Sequence, residues 1–162
     1  MAENVNALAE EVLDVCQRHG FMLATAESCT GGLISAALTA IPGSSSVMER
    51  GFVTYTNEAK HELLGVPLAL FETVGAVSEE VACAMAEGAI SHSRAQVSIS
   101  VTGIAGPGGG TDDKPVGLVH MAAVGRGGET RHECHVFPGD RDVVRAKAVD
   151  AALSLVLKVL KN

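Results

Sequence analysis

The stretch FMLATAESCTGGLISAAL, residues 21–38, constrains this chain more than any other. Phe21 to Ala26 reads as a short buried strand. Beyond it Leu33, Ile34, Ala37, Leu38 and Ile41 recur at helical spacing until Pro42-Gly43 breaks the pattern. A strand that passes through Gly31-Gly32 into a helix is the repeating unit of α/β folds, in which ligands sit beyond the carboxyl ends of strands and against helix N-termini. Ser28, Cys29 and Thr30, three side chains with nucleophilic atoms, fall on that junction.

The flanking sequence extends the same alternation. Val5, Leu8, Val12 and Val15 predict an amphipathic first helix that stops near Gly20. RGFVTYTN (50–57) predicts a second strand, followed by a helical turn carrying Lys60, Leu63 and Leu64. An Ala-rich helix is expected from Ser78 to His92, with Ser78 as cap and acidic residues in its first turn. QVSISVTG (96–103) alternates as a strand and opens into the loop IAGPGGGTDDKP. VGLVHMAAV and ETRHECHVF flank GRGG as an antiparallel hairpin, and PGDRD introduces a last helix striped by Val149, Leu153, Val156 and Leu160. The order predicts an α/β fold, a three-layer α/β/α sandwich with a mixed sheet and helices on both faces. No repeat or linker divides it, so one domain over residues 1–162 is expected.

Composition sharpens this. The chain is 47% apolar but only 3% aromatic, which predicts a core of Ala, Val, Leu and Ile. A formal net charge of −7 argues against nucleic acid or an anionic membrane as partner, since either needs clustered Lys and Arg. A small anionic ligand held by a few local donors remains compatible. Cys16, Cys29, Cys83 and Cys134 form no C-x-x-C pair, the opening residues do not read as a signal peptide, and no apolar run approaches the roughly 20 residues of a membrane span. A soluble, reduced, cytoplasmic protein is expected.

The junction has two readings. Ser28 or Thr30 caps the helix and Gly31-Gly32 allow close packing; or Ser28 is a nucleophile placed where N–H groups converge on an oxyanion. Neither G-x-S-x-G nor S-x-x-K is present, and Cys29 is the rival nucleophile. Among six histidines only His61 lies near such a site, while His132 and His135 would point to opposite faces of a strand, against a metal. Lys60 is the other candidate base, provided that burial keeps it neutral. Tyr55, the only tyrosine, would orient Lys60 or relay a proton through its hydroxyl. The loop after residue 101 offers the Thr102 hydroxyl and the backbone of Gly103, Ile104, Ala105 and Gly106 to a phosphate or carbonyl, although it matches neither the P-loop nor the dinucleotide fingerprint. Arg141 and Arg145, four apart on one helix face, pair with acids or bind an anion.

Taken together, TAESCTGG, GFVTYTNEAK, GAVSEEV, VTGIAGPGGG, KPVGLV and GDRDVVR, in this order between Thr25 and Arg145, closely resemble the CinA carboxy-terminal domain family. That resemblance implies deamidation of nicotinamide mononucleotide to nicotinic acid mononucleotide and ammonia, by a serine–lysine mechanism with no metal and no cofactor. It implies Ser28 as nucleophile, Lys60 as general base and Tyr55 as its assistant. The backbone of Thr30, Gly31 and Gly32 and the TGIAG loop, Thr102 to Gly106, would hold oxyanion and substrate. Arg141 and Arg145 are our own assignment to the phosphate, from their charge and helix-start position, and Asp112 and Asp113 are expected to face solvent. The resemblance also implies a stand-alone, homo-oligomeric form. A catalytically silent nucleotide-binding module linked to competence or DNA damage is the alternative, and hydrolysis of a different pyridine or nucleotide amide is a third reading.

Overall fold

The computed structural model of the protein describes residues 3–161; residues 1, 2 and 162, at the ends of the expected domain, lie outside the described residues. Eleven elements follow one another: α1 (Glu3–His19), β1 (Leu23–Glu27), α2 (Leu33–Thr39), β2 (Met48–Val53), α3 (Asn57–Leu64), α4 (Leu68–Thr73), α5 (Glu79–Ser91), β3 (Val97–Gly103), β4 (Leu118–Gly125), β5 (Arg131–Val136) and α6 (Arg141–Leu160), with one 3-10 turn at Ser44–Ser46. The sheet runs β2-β1-β3-β4-β5. β1 lies parallel to both neighbours, while β3, β4 and β5 pair antiparallel in sequence order. It is a mixed five-stranded sheet in a three-layer α/β/α sandwich. The carboxyl ends of the three parallel strands open on the same edge, so the segments after Glu27, Val53 and Gly103 meet there.

Period-two alternation sorts the sheet residues between two covered faces. Leu23, Val97, Ile99, Val101, Val119 and Met121 join α1, α2 and α6 in the larger core. On the other face Ala24 and Ala26 pack with Leu64, Val81 and Met85, and Ala122 and Val124 with Ala82, Ala86 and Ile90. That face is lined with small side chains, which lets α5 settle close to the sheet. Ser98 and Ser100 lie wholly buried and donate to the α5 carbonyls of Ala86 and Ala82 at 2.7 and 2.6 Å. The alternation in QVSISVTG therefore divides large apolar from small hydroxyl residues, not core from solvent.

Close approach recurs between α5 and α3. A Cβ built on Gly88 would lie 2.0 Å from the Leu64 carbonyl oxygen, well inside van der Waals contact. Gly88→Ala is expected to cost about 2 kcal/mol or more through overpacking, read as a fall of several degrees in the thermal midpoint.

Two features between β2 and α5 differ from expectation. β2 ends at Val53 because Thr54 N–H makes the last link to Glu27 O, at 2.8 Å, and Thr56 already caps α3 by accepting from Ala59 N–H at 3.0 Å. Tyr55 therefore lies in the connection and not on the strand. The helix α4 had no clear sequence signal.

Candidate active site

Glu27, the last residue of β1, organises the junction that carries Ser28. Its side chain is fully buried, and both carboxylate oxygens accept hydrogen bonds. Oε1 accepts from Thr30 Oγ1 at 2.6 Å, from Gly32 N–H at 3.2 Å and from Ile34 N–H at 2.9 Å. Oε2 accepts from the N–H and the hydroxyl of Ser35, both at 3.0 Å. The expected serine or threonine cap is not what the structure shows. The cap position is Gly32, and the first orphan N–H groups of α2 go to an acid that precedes it in the chain. Gly31 and Gly32, at φ +56° and +108°, turn the backbone through conformations that side chains disfavour, which is how α2 comes to point its N–H groups back at the strand end.

This arrangement has a testable cost. An amide at position 27 would set its NH2 against at least one of the facing donors. Glu27→Gln is therefore expected to lose about 2–3 kcal/mol of stability, measured by denaturant unfolding.

Lys60 and Ser28 meet across the β1 and β2 ends. Lys60 Nζ lies 3.0 Å from Ser28 Oγ, and the lysine is only 2% exposed. A second Nζ hydrogen points to the Tyr55 backbone carbonyl at 3.1 Å. Burial lowers the Lys60 pKa from its ordinary 10.5, opposed by Coulombic coupling to Cys29. No carboxylate pairs with the amine among the described residues. Such a lysine favours the neutral state a base requires.

The pair sits in a cavity of about 280 Å³ at the carboxyl edge of the parallel strands. Its wall includes Ser28, Cys29, Tyr55, Lys60, Arg141 and the run from Thr102 to Gly106. The N–H groups of Cys29, Ala105 and Gly106 donate to no other residue among the described ones, so they are candidate oxyanion donors. The Thr102 hydroxyl is engaged, donating to Ala76 O at 2.9 Å, and Ile104 N–H is taken by Leu118 O at 2.9 Å.

Several residues expected at the site take other places. Gly31 N–H donates to Ser28 O at 3.0 Å and Gly32 N–H to Glu27, so neither is free for an oxyanion, and Thr30 is absorbed in the Glu27 network. The Tyr55 hydroxyl does not reach Lys60; its side chain is turned outward, 59% exposed, and meets Arg141 Nη2 at 3.1 Å. It is the Tyr55 carbonyl that holds the amine. Arg141 also donates to Gly106 O at 2.7 Å, spanning from the β2–α3 connection to the glycine loop along the cavity wall. Arg145 is not in that wall. It donates to Cys29 O at 3.1 Å and Thr30 O at 3.3 Å, bracing the loop that follows Ser28 from outside the cavity wall. His61 contacts Val66 O at 2.9 Å and is outside the cavity wall. Burial pushes the Cys29 thiol up to about 11, which disfavours its thiolate as a rival to Ser28. Asp112 and Asp113 are exposed, as expected.

The sequence singles out no role for Glu27, and its one signal there is an acid that ends a mostly apolar strand just before the junction. Nothing in linear sequence says that the side chain turns toward the following helix.

Comparison with known proteins adds an independent line. The profile of the family described as "CinA C-terminal domain" matches residues 5–160. The Escherichia coli K12 protein named nicotinamide-nucleotide amidohydrolase PncC is 50% identical over 148 residues, covering 90% of this chain and 88% of that protein. A CinA-like protein of Akkermansia muciniphila is 54% identical over 134 residues, 83% of this chain and 32% of that protein. The chain spans about a third of the length of the first curated relatives it matches. A crystal structure of the competence/damage inducible protein CihA from Agrobacterium tumefaciens superposes with a TM-score of 0.97 at 46% identity, over 100% of this chain and 98% of that one.

Proposed function

This chain belongs to the CinA C-terminal domain family, and on that premise we propose that it is an amidohydrolase converting nicotinamide mononucleotide to nicotinic acid mononucleotide and ammonia. The observation that carries the reading is the buried Lys60 amine 3.0 Å from Ser28 Oγ in a cavity wall. The name of the Escherichia coli relative supports the substrate.

The geometry supports a two-step acyl transfer. Neutral Lys60 takes the Ser28 hydroxyl proton as Oγ attacks the carboxamide carbon. N–H groups of Cys29 and of the loop around Ala105 and Gly106 receive the oxyanion. The proton on Lys60 then passes to the departing nitrogen, which leaves as ammonia, and water cleaves the resulting Ser28 ester with the same amine as base. The Tyr55 carbonyl keeps the amine lone pair aimed at Ser28 by occupying another of its hydrogens. Neither a metal nor a cofactor enters this scheme. We infer further that the protein works in the cytoplasm as a homo-oligomer, with a nucleotide substrate and neither nucleic acid nor membrane as partner.

The test is ammonia release from nicotinamide mononucleotide in the presence of a chelator, alongside calorimetric binding of the same nucleotide. Turnover supports the enzyme. Binding without turnover by folded protein would replace it with the nucleotide-binding module, and turnover only of other amides would move the substrate assignment. Arg141 is the phosphate ligand in this scheme, and Arg145 is not. Arg141→Ala is expected to raise KM about 10–100-fold, the scale of one charged hydrogen bond, with a smaller effect on kcat.

A further inference from the structure

A second line of reactive side chains lies on the β4–β5 hairpin. The register sets His120 opposite Cys134 and Ala122 opposite His132, so these residues share the sheet face that α5 covers. Cys134 Sγ is 3.7 Å from His120 Nε2. His120 Nδ1 is 2.8 Å from His132 Nε2, and His132 Nδ1 is 3.0 Å from Glu79 Oε1 at the start of α5.

With Glu79 ionised and both imidazoles neutral, one proton order satisfies every link. Glu79 accepts from His132 Nδ1–H. His132 Nε2 then lacks a proton and accepts from His120 Nδ1–H. His120 Nε2 in turn accepts from the Cys134 thiol. The four residues come from α5, β4 and β5 and form the nucleophile, base and orienting group of an activated thiol. The described residues gather no group of three metal ligands here.

The surroundings suit that role. Cys134 is exposed, whereas burial pushes Cys16 up to about 12 and Cys29 and Cys83 up to about 11. Burial, and then Coulombic coupling to His132 and Lys114, lower His120 from its ordinary imidazole value, while Glu79 and Glu80 act in the opposite sense. The neutral ring leaves Nε2 as the acceptor facing the Cys134 thiol at 3.7 Å.

We infer that Cys134 is a site of thiol–disulfide exchange with low-molecular-weight disulfides, with His120 as its base and His132 and Glu79 orienting that base. The Cys134 proton moves to His120 Nε2, and the thiolate attacks one sulfur of RS–SR. The new Cys134–S–S–R bond forms as the old S–S bond breaks, and the departing thiolate takes the proton from His120. Cys134 sulfur is oxidised and the departing sulfur is reduced, so no further reagent is needed. This site is separate from the Ser28 chemistry and does not depend on it.

The test is the rate of mixed-disulfide formation on the full chain at pH 7, with glutathione disulfide and an aromatic disulfide as probes and peptide mapping to locate the label. The expected result is that Cys134 is labelled first, about tenfold or more faster in the native chain than in the same chain unfolded in urea. His120→Gln is expected to bring the native rate down to the unfolded one. Labelling of Cys134 no faster in the native than in the unfolded chain would overturn the inference, as would an unchanged rate in His120→Gln. If that variant does not fold, the native-to-unfolded ratio of the unmodified chain decides alone.

Discussion

Ser28→Ala is expected to lower amide hydrolysis by at least about 10³-fold while leaving the fold intact, because it deletes the atom that attacks in the proposed mechanism and little else. The side chain is buried, and the hydroxyl's partner is the Lys60 amine. The backbone around it is held independently, through Ser28 N–H to Val101 O at 3.0 Å, Arg145 to the Cys29 and Thr30 carbonyls, and the Glu27 network beyond. Loss of one hydroxyl should therefore change stability by only about 1 kcal/mol. Measured rates and thermal midpoints of the two proteins, side by side, separate chemistry from folding. Substantial residual activity in a folded variant would sink the serine mechanism and return attention to Cys29, despite the burial that raises its thiol to about 11.

Lys60→Met carries the second large effect, and its signature lies in pH. The variant should lose activity on the same scale as Ser28→Ala, since no other base touches Ser28 Oγ among the described hydrogen bonds. In the proposed mechanism the active form is the neutral amine, so the rate should rise with pH through the lowered pKa of Lys60. The stability linkage has a definite sign. Because the folded pKa lies below the unfolded 10.5, the unfolded chain binds more protons between the two values. Stability from this group is fully present above 10.5 and is lost as pH falls through the folded pKa. The unmodified protein should thus gain stability relative to Lys60→Met as pH is raised from neutral toward 10.5. Denaturant unfolding of both proteins across that range checks it. A difference independent of pH would mean that Lys60 titrates normally and is a poor base.

These two variants test opposite halves of one compromise. A lysine buried without a carboxylate partner does not suit a well-packed core, and sites that break a folding rule are where function is expected. Glu27 is the contrasting case. It too is a buried ionisable group, but it is surrounded by donors, and its expected loss on substitution is in stability.

Much of this was legible in sequence because it is local. Helical spacing from Val5 to Val15 and from Val149 to Leu160 marks α1 and α6 without reference to anything distant. Ser78 and Asp140 announce the helices they cap, accepting from Val81 and Val143 N–H. The GRGG turn defines the hairpin, and the apolar run meeting two glycines places Ser28 between a strand and a helix. Steric limits on the backbone and the periods of helix and strand act over a few residues, so the sequence alone determined the order of elements and the α/β class.

The site was decided elsewhere. Ser28 and Lys60 are 32 residues apart and meet only because β1 and β2 lie parallel and end on one edge. The division of labour between Arg141 in the cavity wall and Arg145 behind the loop follows from where α6 crosses the sheet, although both share a helix face in sequence. Tyr55 supplies a carbonyl where a hydroxyl was expected, because the chain leaves β2 two residues earlier and its side chain swings out. Side-chain direction at an element's end depends on what packs against it, and that is settled only when the layers close.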